Sequence, residues 1–161
     1  MHGIKDFSRT ERLSGFAGAP AGFGGATPDS AMDWLKAEGF VSVINLRVAT
    51  EEGVDLEASR AAADAAGLEY VHLPFDVKNL DPQLYDKFLA AVGDEANRPV
   101  YIHCNSATRV GALWMIARVL EDDWSVDRAR EEAEAIADKP AEAVAFATHF
   151  ITARRERAAR D

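Results

Sequence analysis

Cysteine is almost missing from this chain. Cys104 is the only one among 161 residues, which excludes an internal disulfide and any multi-cysteine metal site. A reducing compartment is the natural setting, and the expected location is cytoplasmic. Histidine is scarce as well, and no two of the four have the spacing of a metal pair. No metal and no cofactor are expected. Long apolar runs are lacking, so no segment reaches the length that spans a bilayer. The opening Met1-His2-Gly3-Ile4-Lys5-Asp6 has neither the basic end nor the apolar stretch of a secretory leader. Positive charge is in deficit: 18 Lys and Arg stand against 27 Asp and Glu, a net charge of −9. Neither nucleic acid nor an anionic membrane is expected as a partner. The basic Arg154-Arg155-Glu156-Arg157 reads as solvated cations complementing the end of a helix.

What is present is a 48% hydrophobic, 28% charged composition, that of a globular protein. Without repeats or low-complexity tracts, residues 1–161 read as one domain, the size of a single core. Residues 1–25, rich in Gly and Ala, form an irregular lead-in or a short strand pair. Thr27-Pro28 predicts a helix start with a capping hydroxyl, and Gly39 its stop. Phe40–Leu46 reads as a strand buried on both faces, followed by a helix over Asp55–Ala66 and a short strand at Tyr70–Leu73. Asp81-Pro82 opens another helix, with Leu84, Phe88, Leu89 and Val92 on its apolar stripe. The strand Val100–Ile102 then precedes helices over Val110–Leu120, Ser125–Ile136 and Pro140–Arg157. This alternation predicts an α/β fold, a central and mostly parallel sheet flanked by helices. Such sheets bind ligands beyond the carboxyl ends of their strands.

Cys104 lies at that kind of place. In Val100-Tyr101-Ile102-His103-Cys104-Asn105-Ser106-Ala107-Thr108-Arg109-Val110-Gly111 an apolar strand runs into the thiol, a polar loop follows, and an arginine arrives as a helix begins. Loop N–H groups, the positive helix end and a permanent guanidinium charge all favour a thiolate. Converging amides at a helix start also bind anions. Cys104 is therefore the candidate nucleophile, Asn105, Ser106, Ala107 and Thr108 the anion-binding loop, and Arg109 the oxyanion fork. His103, pointing away from the reacting side, is assigned to ordering the loop from behind. Arg47 follows the strand Val43–Leu46. It either lends charge to the site or pairs with Glu51 or Glu52. His72 and His149 read as structural.

This segment resembles the signature of the protein-tyrosine and dual-specificity phosphatases, His-Cys, five residues, Arg. Here only Asn105, Ser106, Ala107 and Thr108 intervene, and the hydroxyl residue usual after the arginine is Val110. The shorter loop is similar to that of a bacterial family, the phosphatase-like domain of beta-lactamase hydrolase-like proteins. Its members occur alone or joined to persulfide-dioxygenase-type domains, and both phosphatase and sulfurtransferase roles have been assigned to them. The resemblance runs from Phe23-Gly24-Gly25 through Val43–Arg47 and Leu73-Pro74-Phe75-Asp76 to about Leu120. It implies a single-domain phosphatase-like fold. It also implies that Asp76 is the general acid for the leaving oxygen, with Asp81 as a rival. Without the resemblance Asp76 is a loop carboxylate or turn former.

Two reactions fit these parts. In sulfur transfer, Cys104 takes the outer sulfur of thiosulfate or a persulfide and passes it to a thiol acceptor. In phosphoester hydrolysis, Cys104 forms a thiophosphate. A ring short of one amide suits a small sulfane sulfur better than a phosphoryl group. Val110 cannot hydrogen-bond the departing thiolate as the usual hydroxyl does. Asp76 argues the other way, because sulfur transfer does not require an acid. The sequence thus ranks sulfur transfer first, hydrolysis second, and a non-catalytic anion-binding or redox-sensing module third. The expected partners are a small oxyanion or persulfide with a thiol acceptor, or a phosphoester.

Overall fold

The structure, a computed structural model, describes residues 2–10, 15–18 and 20–161. Among these residues five strands form one sheet: β1 (Ser8–Arg9), β2 (Gly22–Gly24), β3 (Ser42–Asn45), β4 (Glu69–His72) and β5 (Val100–His103), in the order β1-β2-β5-β3-β4. Among the described residues only the β1–β2 pair is antiparallel. The expected lead-in is thus partly a strand pair, and β2 is also an integral neighbour of β5. Met1, residues 11–14 and Ala19 of that lead-in lie outside the described residues.

Pleating decides which side chains reach which layer. Val43, Tyr70 and Tyr101 point to a core shared with α1 (Met32–Ala37) and α2 (Leu56–Ala65). Ile44, Val100 and Ile102 point to the larger core beneath α3 (Leu84–Gly93), α4 (Thr108–Glu121), α5 (Val126–Ile136) and α6 (Pro140–Arg160). Because β3 and β5 have helices on both faces, every residue in them is buried. That is why they read as continuous apolar runs. Among the described residues no helix is long and apolar enough to cross a membrane.

Local sequence sets several helix starts. The Asp55 carboxylate caps α2 by accepting from the Ala58 N–H at 3.1 Å, and the Ser125 hydroxyl caps α5 by accepting from Arg128 at 3.1 Å. Pro140 occupies the first turn of α6, where its missing donor costs nothing. Thr27 departs from expectation. Its hydroxyl caps no helix; it bonds the Gly25 carbonyl and the Tyr101 hydroxyl instead, at 2.9 and 2.6 Å. Asp81 also stops short of capping: it accepts from the Gln83 N–H and the Lys87 ammonium, and α3 begins at Leu84. Helix α4 is buried from Val110 to Val119, as expected of a helix enclosed by the sheet, α5 and α6.

Register carries the fold to its site. Asn45 sits beside both His72 and His103, and Gly24 beside His103. Four strands therefore end at one level. The chain continues from them as Gly25, Leu46, Leu73 and Cys104 along a common edge.

Candidate active site

The segment after β5 is held from two sides. The Ala26 N–H donates to the Asn105 carbonyl at 2.8 Å. Gly25 is obligatory there, because a Cβ would stand 2.6 Å from the same oxygen. Opposite, the α5–α6 turn donates two N–H groups: Asp138 to the Ser106 carbonyl at 3.2 Å and Lys139 to the Thr108 hydroxyl at 3.1 Å. The Ser106 and Thr108 hydroxyls meet at 3.1 Å. Ala107 is left-handed, with φ +61°. This is an uncommon conformation for a residue with a Cβ, and it belongs to turns whose successive N–H groups face one side. Among the described residues, the N–H groups of Asn105, Ser106 and Ala107 donate to no protein acceptor. The first N–H groups of α4 are unpaired by the nature of a helix start.

Cys104 lies beneath this loop and is fully buried. Its N–H donates to Gly24 at 3.2 Å, which continues the β2–β5 ladder past the strand end. His103, also buried, stacks on Tyr101 at a centroid distance of 5.8 Å, and its Nδ1 lies 3.4 Å from the Cys104 carbonyl. Burial is the main cause that lowers its pKa to about 4, so it is a neutral ring behind the loop.

Arg109 is fixed by a partner that the sequence did not assign to it. Glu51 accepts from Nη1 and Nη2, both at 2.8 Å. Nη1 also donates to the carbonyls of Phe75 at 3.1 Å and Leu46 at 3.4 Å. That uses one edge of the guanidinium. The other edge, Nε and the remaining Nη2 proton, donates to no oxygen among the described residues. Burial works to lower the Arg109 pKa, but Glu51 and the neighbouring Cys104 sulfur outweigh it and raise the pKa above the ordinary value. Burial likewise works to raise the Glu51 pKa. It is outweighed by Arg109, the Val48 N–H and Arg47, which hold it at about 2. The pair is therefore ionised, with a planar fork aimed towards the thiol.

Arg47 resolves to the second of its two expected roles. Its Nε lies 3.3 Å from Glu51, and an Nη donates to the Glu52 carbonyl at 2.8 Å. It braces Glu51 and does not line the cavity. Glu51 escaped the sequence reading as the Arg109 partner because 58 residues separate them. The available signal was charge balance: a half-buried guanidinium needs a carboxylate, and the acidic pair after β3 starts from the same sheet edge.

A cavity of about 480 Å³ opens over the loop. Ser106, Thr108 and Arg109 line it, as do Glu51, Phe75 and Asp76. Asp76 is half-buried. One carboxylate oxygen accepts from the Lys78 N–H at 3.0 Å, a turn-forming bond. Its rival Asp81 is not among the cavity residues; chiefly the Lys87 hydrogen bond lowers its pKa. The fold thus brings together Arg109, Ser106, Thr108 and Asp76 around one space. Cys104, fully buried, is not itself among the residues that line the cavity, and Asn105 faces solvent.

A cysteine at a parallel-strand end, followed by a tight loop and an arginine in the next helix, defines the cysteine-phosphatase-like class of fold. Residues 26–121 match the family described as beta-lactamase hydrolase-like protein, phosphatase-like domain, and the chain belongs to that family. It is 34% identical over 94 residues to the beta-lactamase hydrolase-like protein of Agrobacterium fabrum, an alignment covering 54% of this chain and 20% of the relative. The match spans about a fifth of that protein's length. In structure the chain is similar to a DUF442 protein of Shewanella putrefaciens, with TM-score 0.72, 18% identity and coverage of 94% and 92%. It is also similar to the core catalytic domain of the PP-IP phosphatase SIW14 of S. cerevisiae, with TM-score 0.69, 22% identity and coverage of 90% and 85%.

Proposed function

We propose that the protein is a cysteine-dependent phosphomonoesterase. The observation that carries this reading is the presence of Asp76 in the same cavity as Arg109, Ser106 and Thr108. One Asp76 oxygen is engaged by its own turn, which leaves the other to hold a proton for a leaving group. In the first step the Cys104 thiolate attacks phosphorus, an S–P bond forms, the P–O bond breaks, and Asp76 protonates the departing oxygen. In the second, Asp76 takes a proton from water, the water oxygen attacks phosphorus, and the S–P bond breaks to release phosphate. Arg109 offers its free edge to two phosphoryl oxygens in both steps, and the unpaired loop N–H groups hold the remainder. His103 stays neutral behind the loop and takes no proton.

The loop chemistry ranked sulfur transfer ahead of hydrolysis. The family and the phosphatase-like neighbours support hydrolysis better, and the order is reversed here. Sulfur transfer remains the second reading on one observation: Val110, buried and apolar, stands where a hydroxyl would assist thiolate departure. A paired assay on wild type, Cys104→Ser and Asp76→Asn separates the two. Under hydrolysis, wild type turns over an aryl phosphate, Cys104→Ser is inactive, and Asp76→Asn is slower by roughly 10²–10⁴-fold. Transfer of sulfur from thiosulfate to cyanide, undiminished in Asp76→Asn and without aryl phosphate turnover, would restore the original order.

A further inference from the structure

The loop, Arg109 and Asp76 lie within residues 26–121, yet one wall of their cavity comes from beyond that span. Ala143 and Phe146 of α6 line it, together with Phe75 and Val77 from the segment after β4. The rings of Phe75 and Phe146 pack at a centroid distance of 5.0 Å. Val77 is 66% exposed at the cavity rim and offers its apolar side chain to whatever enters. The charges around this wall are balanced. Arg109, Lys78 and Lys139 face Glu51, Asp76 and Glu142, and Arg109 and Glu51 are already paired. A ligand carrying several phosphates would therefore meet Asp76 and Glu142 as well as the two lysines, in a chain of net charge −9. A ligand with one anionic head and an apolar body meets no such opposition. Its head fits the loop and its body covers Val77 and the exposed part of Phe146, whose ring rests on the buried Phe75.

We infer that α6 sets the substrate class, with Phe146 as a specificity-determining residue that selects monoesters with a single phosphate head and an apolar body against polyphosphorylated ones. This rests on the hydrolytic reading for the chemistry at the head. Calorimetry on the full chain carrying Cys104→Ser tests it without turnover, using 1-naphthyl phosphate, inorganic phosphate and inositol hexakisphosphate as probes. The naphthyl ester should bind roughly ten-fold more tightly than phosphate, and the hexakisphosphate no more tightly than phosphate. Adding Phe146→Ala should remove most of the naphthyl advantage and leave phosphate affinity unchanged. Phe146→Leu should retain part of it, and a variant that misfolds would lose phosphate binding too. A tighter hexakisphosphate complex, or a naphthyl advantage unchanged in both Phe146 variants, would overturn the inference. The expected affinities without naphthyl phosphate hydrolysis by wild type would sink the hydrolytic reading and leave the role of Phe146 standing.

Discussion

The two ends of α4 each hold an arginine tied to carboxylates, and they are put to opposite uses. At the far end Arg118 is enclosed. Nε and Nη2 donate to Glu132, Nη1 donates to Asp122, and the guanidinium lies 4.1 Å from the Trp124 ring centroid. Only 6% of the side chain is exposed. At the near end Arg109 gives one edge to Glu51 and, among the described residues, keeps the other without an oxygen partner, beside loop amides likewise unpaired and an open cavity. Pairing with acid thus says little about role. What marks a site is a charged group held rigidly by part of its donors while the rest remain unspent.

That contrast can be broken most severely at Arg109. Arg109→Lys should cut aryl phosphate turnover by roughly 10²–10³-fold, since a single ammonium cannot reproduce the fork, with little change in urea midpoint. Arg118→Ala should do the reverse: a loss of about 3 kcal/mol in unfolding free energy by urea titration, with turnover per folded molecule retained. If the Arg118 variant folds stably but is inactive, the two ends are not distinct.

His103 provides a pH test. Its folded pKa of about 4 is below the ordinary 6.5, so at falling pH the unfolded chain takes up a proton that the folded one refuses. The stability contribution is intact above pH 6.5, declines below it and is lost as pH falls through 4. The total is about 3 kcal/mol. Denaturation at successive pH values should show this slope in wild type and a shallower one in His103→Asn. A smaller effect belongs to Glu51, depressed to about 2 from 4.5. The stability margin of wild type over Glu51→Gln should be constant above pH 4.5 and vanish as pH falls through 2, at about 1–2 kcal/mol. A margin that persists below pH 2 would show that Glu51 acts through shape alone.

The sequence made the sheet and its reactive edge readable because their causes are local. Buried strands announce themselves as apolar runs, Asp55 and Ser125 cap where they stand, and the strand-Cys-loop-Arg spacing is contained within one segment. The misses depend on distance. Glu51 reaches Arg109 only because register aligns the ends of β3 and β5, and Phe146 reaches the cavity only because α6 packs back over α4. Thr27 was misread for the same reason: its hydroxyl had a local use as a cap and a distant one at Tyr101, and the distant one prevailed.

Val110 gives the central claim its most direct test. Without the hydroxyl that assists thiolate departure in the resembling phosphatases, the second chemical step should be the slower one, and the thiophosphate should accumulate. Wild type mixed with an aryl phosphate, quenched in acid within the first turnovers and weighed intact, should carry one phosphoryl group, located on Cys104 by peptide mapping and absent from Cys104→Ser. Release of phosphate with Cys104 unmodified, or an adduct of a single sulfur atom from thiosulfate and none from the aryl phosphate, would contradict the account.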